Sequence, residues 1–399
     1  MLTNNQNPIT DWSLQPVIEW LFSSGCMMKD DTKFVHELAH QLIACGAPID
    51  QLRITMRTLN PEIIGASSFW LKSTDLSRHM ETQHGVSETD RYIGSPMKQL
   101  YDTGESIWQR LVELPETAHR AYTELAEDGF TDYLALPVMT AEGISAAIII
   151  STKDSAGFSE HDVKNFHIIR DYMVPIIEVQ SLRHLSKSLM NTYVGRRTGE
   201  KVLAGMIKRG DADIINAALW FSDLRNFTHI TETLAAEQVI GMLNEYFEFV
   251  AAAVTAQGGE ILRFIGDAML IVFPIDDKQS RQIACKAAID AAIDAQSTLA
   301  SLNHRRRRHG QPEIEFGVGL NVGEVIYGNV GAPDRLDFTV MGPAVNRTAR
   351  LESLTKELGR KILFSKEFAD LIDEPVQSLG KHVMKGIAEP QAVFALQSE

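Results

Sequence analysis

Two aspartates stand where carboxylates can act together. Asp223 follows the apolar run of residues 214–222, which is typical of a strand. Asp267 follows Gly266 between two short apolar runs, which predicts the two-residue turn of a β-hairpin. A strand end and a neighbouring hairpin tip can meet at one edge of a sheet, and two carboxylates there repel each other unless a proton or a cation intervenes. The pair therefore suggests a Mg²⁺ site, although each residue alone could be a turn former or a helix cap.

Other polar residues could act on a phosphate-bearing substrate. Asn346 and Arg350 are four residues apart and share one face of a predicted helix. The turn that carries Phe227 and Thr228 leads into a helix, whose first backbone N–H groups could cradle phosphates. Taken singly, the helical pair could be an ordinary solvated face, Lys385 a surface lysine and the turn a plain connection.

The elements that must position these residues alternate without the regular period of a parallel α/β sheet. This favours an α+β fold, with helices packed on an antiparallel sheet. The patterns predict strands and helices at these places: a strand over 214–222, a helix over 233–256, a hairpin over 261–273, a helix over 278–302, a strand over 314–322 and a helix over 344–358.

The N-terminal half predicts a second sheet and a long helix. Residues 34–45 have helical spacing, and residues 52–57 alternate as a half-buried strand does. Residues 133–151 read as a hairpin. From Ser159 a helical pattern continues to about residue 190, with Pro175 as a kink or break. This helix could pack on its own domain or pair with the same helix of a second protomer.

Composition limits the class of protein. The 399 residues predict two domains, and 44% hydrophobic with 23% charged residues fits a soluble globular chain. A net charge of −14 disfavours nucleic acid as a partner and charge-driven binding to anionic membranes. Three cysteines exclude a disulfide framework and favour a reducing compartment. With no signal peptide and no apolar run of about 18 residues, we expect no membrane span and a cytoplasmic location.

Two further patterns carry little chemistry on the sequence alone. Residues 305–308 are four consecutive arginines, which we interpret as a solvated loop. The twelve histidines show no spacing that indicates a metal-ligand cluster.

Taken together, the motifs in the C-terminal half resemble the class III nucleotidyl cyclases over about residues 214–396. The resemblance implies a ferredoxin-like α+β domain that forms a head-to-tail homodimer, with each active site drawing residues from both protomers. The motifs, in family order, are Phe221-x-Asp223-x-x-x-Phe227-Thr228, Gly258-Gly259-x-x-x-Arg263-x-x-Gly266-Asp267 and Thr339-Val-Met-Gly-x-x-Val-Asn346-x-x-x-Arg350-Leu-Glu.

The resemblance also implies roles for these residues. Asp223 and Asp267 would bind two Mg²⁺ or Mn²⁺ ions, one activating the ribose 3′-hydroxyl and the other holding the triphosphate. From the other protomer, Asn346 would orient the ribose, Arg350 would stabilise charge on the α-phosphate, and Lys385 would hold the terminal phosphates. The products would be a 3′,5′-cyclic nucleotide and pyrophosphate.

Base choice would depend on Arg263 and Thr339. Adenylate cyclases of this family commonly have Lys at the first position and Asp or Thr at the second, whereas guanylate cyclases commonly have Glu at the first. Arg263 can donate to adenine N1, and Thr339 can accept from the 6-amino group. We therefore expect ATP as substrate and cyclic AMP as product. Two alternatives are a cyclase of another nucleotide, which makes cyclic GMP or a cyclic pyrimidine nucleotide, and an inactive cyclase-like nucleotide-binding module.

The N-terminal half loosely looks like a GAF-type sensory module followed by a signalling helix. The expected domains are an N-terminal segment (1–33), a GAF-like regulatory domain (34–158), a signalling helix and linker (159–212) and the catalytic domain (213–399). An unknown ligand or signal would shift the placement of the two catalytic domains. The alternative is a domain that only dimerises or is inert.

Overall fold

A computed structural model describes residues 12–58, 63–141, 143–275, 280–387 and 389–397. The chain forms two compact units, Met1–Leu189 and Met190–Glu399. The sequence analysis placed the start of the second domain at residue 213 instead. The difference arises because residues 190–212 pack on the C-terminal sheet, as described below.

The N-terminal unit contains a six-stranded antiparallel sheet in the order β3-β2-β1-β6-β5-β4. Its strands are β1 (Gln51–Arg57), β2 (Ile63–Leu71), β3 (Leu76–Gln83), β4 (Ile107–Arg110), β5 (Asp132–Thr140) and β6 (Gly143–Thr152). Its helices are α1 (Gln15–Ser23), α2 (Asp31–Ala44), α3 (Pro96–Thr103), α4 (Arg120–Glu127) and α5 (Glu160–Val194), whose last five residues belong to the second unit. The β5–β6 pair has the hairpin pairing that the sequence predicted.

The sequence analysis set residues 1–33 apart as a segment of their own; residues 1–11 lie outside the described residues, and side chains from residues 12–33 contribute to the core of this unit. Trp12, Val17 and Leu21 are buried among residues of α2 and the sheet. The Trp12 indole donates a 2.8 Å hydrogen bond to Asp162 in α5. The sheet is consistent with a separate domain, and its GAF-like character stays a prediction.

Helix α5 begins as the sequence predicted and continues through its proline. The Asp162 backbone N–H donates to the Ser159 hydroxyl at 3.2 Å, and Asp162 accepts from the Ser159 N–H at 2.8 Å, so the two residues cap each other. Pro175 lies inside the helix rather than at a break. Beyond Gln180 the described side chains of α5 are partly or fully exposed.

The C-terminal unit contains an eight-stranded sheet in which β13-β14-β12-β10-β7-β9-β8 are neighbours and β11 pairs with β10. Its strands are β7 (Ala212–Leu224), β8 (Glu260–Ile265), β9 (Ala268–Ile275), β10 (Phe316–Ala332), β11 (Arg335–Met341), β12 (Ile362–Ser365), β13 (Val376–His382) and β14 (Gln391–Leu396). Its helices are α6 (Arg196–Leu203), α7 (Phe227–Thr233), α8 (Ala236–Ala256), α9 (Arg281–Arg308), α10 (Pro343–Glu357) and α11 (Lys366–Ala369).

The segment β7-α8-β8-β9-α9-β10 has the ferredoxin-like arrangement. Its four strands lie in the order β10-β7-β9-β8, and every neighbouring pair is antiparallel. Helices α8 and α9 bury their apolar sides against one face, where Trp220, Ile271 and Phe316 lie in the main core. Successive strand residues point to opposite faces, so Asp223 projects from the other face, as do Leu219 and Phe221.

Helix α10 covers that second face at unusually short range. A Cβ on Gly319 would lie 2.4 Å from the Thr348 carbonyl and 2.5 Å from the Glu352 nitrogen, and a Cβ on Gly317 would meet the Thr355 hydroxyl at 2.2 Å. Glycines at alternate positions of β10 therefore let the helix approach the strand directly. This contact sets the position of the functional residues on α10.

Helix α6 joins the linker to the C-terminal sheet. The buried hydroxyls of Thr198 and Tyr327 are 2.7 Å apart, and the Arg197 N–H donates to Glu260 at 3.0 Å. These contacts explain why the second unit begins before β7.

Two helices of this unit bear on earlier expectations. By length and composition α8 could cross a membrane, the one described helix that could. However, Met242, Tyr246 and Val250 bury one side of it in the core.

The four arginines at 305–308 form the last turn of α9 rather than a loop, and Arg306 is buried in an ion pair with Glu245. Positive charge there complements the helix dipole.

Candidate active site

The structure brings Asp223 and Asp267 together, as the sequence predicted. Gly266 and Asp267 form the two-residue turn between β8 and β9. Because β9 pairs with β7 in a register that sets Ser222 opposite Met269, this turn lies beside the end of β7. The two carboxyl groups are close enough for a proton on Asp223 to be shared with Asp267 in a hydrogen bond. They form the acidic centre of the site.

A third carboxylate, Glu352 of α10, joins this pair and was not predicted. A Cβ built on Gly317, which is paired with Asp223, would lie 2.8 Å from Glu352 Oε1. Glu352 therefore lies over the strand residue next to Asp223. We refer to Asp223, Asp267 and Glu352 as the carboxylate cluster.

Burial and mutual repulsion make the charged form of the cluster unfavourable. Desolvation raises the pKa of Asp223 to about 7, with Asp267 adding to the increase. Desolvation also raises the pKa of Glu352 to about 7, followed by repulsion from Asp223, while Arg225 opposes the shift. Negative charge at this position needs compensation.

The cluster fits a divalent cation. Asp223 Oδ1 is buried and has no hydrogen-bond partner among the described residues. The other atoms of the cluster that could bind a metal are also carboxylate oxygens, which are the hard ligands that Mg²⁺ and Mn²⁺ prefer. A cation between the carboxylates would satisfy the orphaned oxygen and remove the repulsion that raises both pKa values.

Asn346 and Arg350 lie on the opposite side of α10 from Glu352. At 100° per residue they are roughly 40° apart around the helix, whereas Arg350 and Glu352 are roughly 160° apart. Asn346 and Arg350 are both exposed, and the side chain of neither has a hydrogen bond or ion pair with another described residue. Because Glu352 faces the sheet, the pair faces away from the carboxylate cluster of its own chain.

The remaining predicted phosphate-binding residues are accessible or lie near the cluster. Lys385 is exposed in the connection between β13 and β14. Phe227 begins α7 and packs against the main core, and Thr228 beside it is exposed. No side chain caps the start of α7, where Asn226 has a left-handed backbone with φ of 58°. The first N–H groups of α7 are therefore not used by a cap.

The base-reading positions have a partner that the sequence analysis missed. Arg263 on β8 forms an ion pair with Asp337 on β11, and both side chains are about half exposed (48% and 43%). Thr339 lies two residues beyond Asp337 on the same face of β11 and is buried. The register of β8 shifts between Ile261 and Arg263, as at a β-bulge. We refer to Arg263, Asp337 and Thr339 as the base-reading group.

The sequence model described as "Adenylate and Guanylate cyclase catalytic domain" matches residues 212–398. These residues form a class III nucleotidyl cyclase catalytic domain. Strands β7–β14, helices α7–α11 and the acidic centre lie within this cyclase domain.

Individual relatives match part of the chain. The terminal-differentiation specific adenylate cyclase of Dictyostelium discoideum is 38% identical over 156 residues, which are 39% of this chain and 7% of that protein. Adenylate cyclase 1 of Rhizobium meliloti (strain 1021) is 35% identical over 147 residues, 36% of this chain and 22% of that protein. The chain thus spans less than a quarter of the length of either relative.

Among solved structures, the adenylyl cyclase CyaB from P. aeruginosa is 28% identical, with a TM-score of 0.42. The match covers 46% of this chain and 95% of that one. The family description names both adenylate and guanylate cyclases, so membership in the family leaves the base open.

Proposed function

We propose that the protein is an adenylate cyclase that converts ATP into 3′,5′-cyclic AMP and pyrophosphate at a site shared by two copies of the chain. The observation that carries the proposal is the pairing of Asp223 with Asp267, beside the buried and unpartnered Asp223 Oδ1. An inactive relative would have no need to keep this uncompensated acidic centre, which destabilises the folded chain.

Each residue has a task that suits its chemistry. Asp223 and Asp267 would hold Mg²⁺ or Mn²⁺, two ions per site. When bound, the metal supplies Lewis-acid activation of the 3′-hydroxyl and charge neutralisation at the triphosphate. The uncapped N–H groups at Phe227 and Thr228 would bind phosphate oxygens near the cluster.

The second copy would supply the groups that face away from the carboxylate cluster. Asn346 would orient the ribose by hydrogen bonds. The planar guanidinium of Arg350 would stabilise the charge that grows on the α-phosphate as the bond to the β-phosphate breaks. Lys385 would bind the β- and γ-phosphates. Domains of this family act as dimers, and the orientation of α10 in this chain supports a site shared by two copies.

Helix α5 offers a second reason to propose a homodimer. Tyr172, Val179, Leu182 and Leu189 are spaced seven, three and seven residues apart and are 38–56% exposed. Apolar residues at heptad spacing favour a helix pair. We propose that α5 pairs with its copy and passes a signal from the N-terminal unit to the catalytic domains. Leu182→Glu should therefore lower activity and weaken dimers, whereas Lys187→Gln on the same helix should do neither; equal dimerisation of the two variants would contradict the pairing.

The choice of ATP rests on Arg263 and Thr339. Arg263 can donate to adenine N1, and Thr339 can accept from the 6-amino group. The Asp337 carboxylate favours a second candidate, because it could accept from guanine N1–H and the 2-amino group. Cyclic GMP synthesis is therefore the alternative that this chain supports.

Product analysis tests the proposal. Purified full-length protein is incubated separately with ATP, GTP, CTP and UTP, with Mg²⁺ and with Mn²⁺, and the products are identified by mass. Cyclic AMP and pyrophosphate from ATP are expected, and the Arg350→Ala protein serves as the blank. Cyclic GMP as the main product would replace the base assignment and keep the mechanism. No cyclic nucleotide from any substrate and metal would contradict the proposed activity.

We also propose the cytoplasm as its location, in keeping with three free cysteines.

A further inference from the structure

The structure brings together three side chains of types that can bind a metal ion, in the N-terminal unit and far along the chain from the cyclase domain. His36 and His40 are one turn apart on α2, and Asp75 lies in the turn between β2 and β3. One possible ligand atom from each residue lies within 4.8 Å of the other two. The sequence analysis had found no metal-ligand cluster among the histidines, because the third ligand comes from a different element.

We propose that His36, His40 and Asp75 form a second metal site, selective for Zn²⁺ or a similar transition-metal ion. Two imidazoles and one carboxylate leave a position open for water, which is a donor set that suits Zn²⁺. Mg²⁺ prefers oxygen ligands and would bind there weakly. The ion would link α2 to the β2–β3 turn.

The contacts of Asp75 hold its carboxylate in place for metal binding. Its Oδ1 accepts from the Trp70 indole N–H at 2.9 Å and lies 2.8 Å from His40 Nε2. Asp75 has a left-handed backbone with φ of 51°, one of two described non-glycine residues with positive φ.

The two imidazoles are also placed for ligation. The Ser77 hydroxyl lies 3.3 Å from His36 Nδ1, which leaves Nε2 as the ring nitrogen directed to other partners. The rings of His36 and His40 have centroids 4.6 Å apart. Ligating histidines usually engage their second nitrogen in this way, which fixes the ring and its tautomer. The side chains of His40 and Asp75 are 45% and 58% exposed, so an ion could enter from solvent.

The test measures Zn²⁺ bound to the full-length chain by competition with a chromogenic chelator, in excess Mg²⁺ so that the carboxylate cluster is occupied. The wild type should bind one more Zn²⁺ per chain than the His36→Ala/His40→Ala protein. Ser77→Ala should weaken this binding about tenfold, as removal of outer partners of metal ligands does. His309→Ala, at an exposed histidine of the other unit, is the matched control and should match the wild type.

Asp75→Asn tests the same site even if the double variant misfolds, because asparagine tolerates the same backbone conformation and can accept the hydrogen bond from Trp70. It should also lose the extra ion. Cu²⁺ bound to the wild type should show nitrogen hyperfine coupling in its electron paramagnetic resonance spectrum, and the double variant should lack this signal. Equal Zn²⁺ stoichiometry and affinity in the wild type, the double variant and Asp75→Asn would overturn the proposal.

Discussion

The carboxylate cluster and the base-reading group of the cyclase domain differ in whether their charges are compensated within the chain. In the cluster, Asp223, Asp267 and Glu352 repel one another, and burial raises the pKa values of the first and third. In the base-reading group, Arg263 already has a counter-charge in Asp337. The cluster is therefore built to gain an external cation, whereas the base-reading group must exchange an internal partner for the nucleotide base. Metal binding should dominate the energetics, and base choice should be a smaller adjustment.

The largest expected effect follows from removing a charge from the cluster. Asp223→Asn should lower the cyclase rate by about 10³-fold or more, because the metal then loses a main ligand. Steady-state assays with Mn²⁺ measure this, and Asp370→Asn, in an exposed ion pair with Lys366, should keep the wild-type rate. Retention of more than about a tenth of the rate would contradict the metal role of Asp223.

Glu352→Gln tests whether the third carboxylate belongs to the cluster. The variant should weaken Mn²⁺ binding by about 10- to 100-fold, the usual cost of losing a partner near a metal. The metal-free protein should become more stable, since a buried like charge is gone. Titration of activity with Mn²⁺ and thermal unfolding in chelator measure the two effects. Unchanged metal affinity together with lower stability would mean that Glu352 only supports the packing of α10.

Asp337→Asn tests the base-reading group. It frees Arg263 from its counter-charge, so the nucleotide KM should change by up to about tenfold while kcat stays close to wild type, because the interaction is made equally in ground and transition states. The ratio of kcat/KM for ATP to kcat/KM for GTP should rise if Asp337 accepts from guanine. Arg263→Lys is the companion variant, and an unchanged base preference in both would remove the base-reading role from this pair.

The smallest expected effect is the dependence of stability on pH. The pKa of Asp223 is about 7 in the folded chain and 3.8 as a reference value, so the folded state binds more protons between these values. The contribution of Asp223 to stability in metal-free buffer should therefore be highest below about pH 4 and fall as pH rises to about 7. We expect the free energy of unfolding to decrease by about 1–2 kcal/mol over this range, since the site is partly solvated.

Thermal unfolding of the full chain checks this pH dependence, with about 2–4 °C per kcal/mol in a domain of this size. Mn²⁺ should restore stability above pH 7, where the carboxylates are charged. A metal-free stability that rises between pH 5 and 7 in the wild type and equally in Asp223→Asn would show that other groups dominate.

The geometry of single turns and helices was sufficient to predict part of the candidate active site from the sequence. Asp223 and Asp267 could be predicted to meet because a strand end and a two-residue hairpin turn have restricted geometry. The shared face of Asn346 and Arg350 follows in the same way from helical spacing. The ferredoxin-like order could only be inferred from family resemblance, because strand order depends on pairings between distant segments.

The residues that were missed depend on contacts between elements. Glu352 joins the cluster because α10 packs directly on Gly317 and Gly319, and alternate glycines in a predicted strand were the available signal of that close approach. Asp337 could have been found by strand alternation, two residues before Thr339. The helical spacing of His36 and His40 was visible, but Asp75 reaches them only through the β2–β3 turn.

Mixing of two inactive variants tests the shared site most directly. Asp223→Asn and Arg350→Ala damage different halves of the proposed site, so each protein alone should be nearly inactive. In an equal mixture about half of the dimers would be mixed and one of their two sites would be intact, which predicts recovery of up to about a quarter of wild-type activity. No recovery, with heterodimers demonstrated by differential tags, would contradict a site built from two copies of the chain.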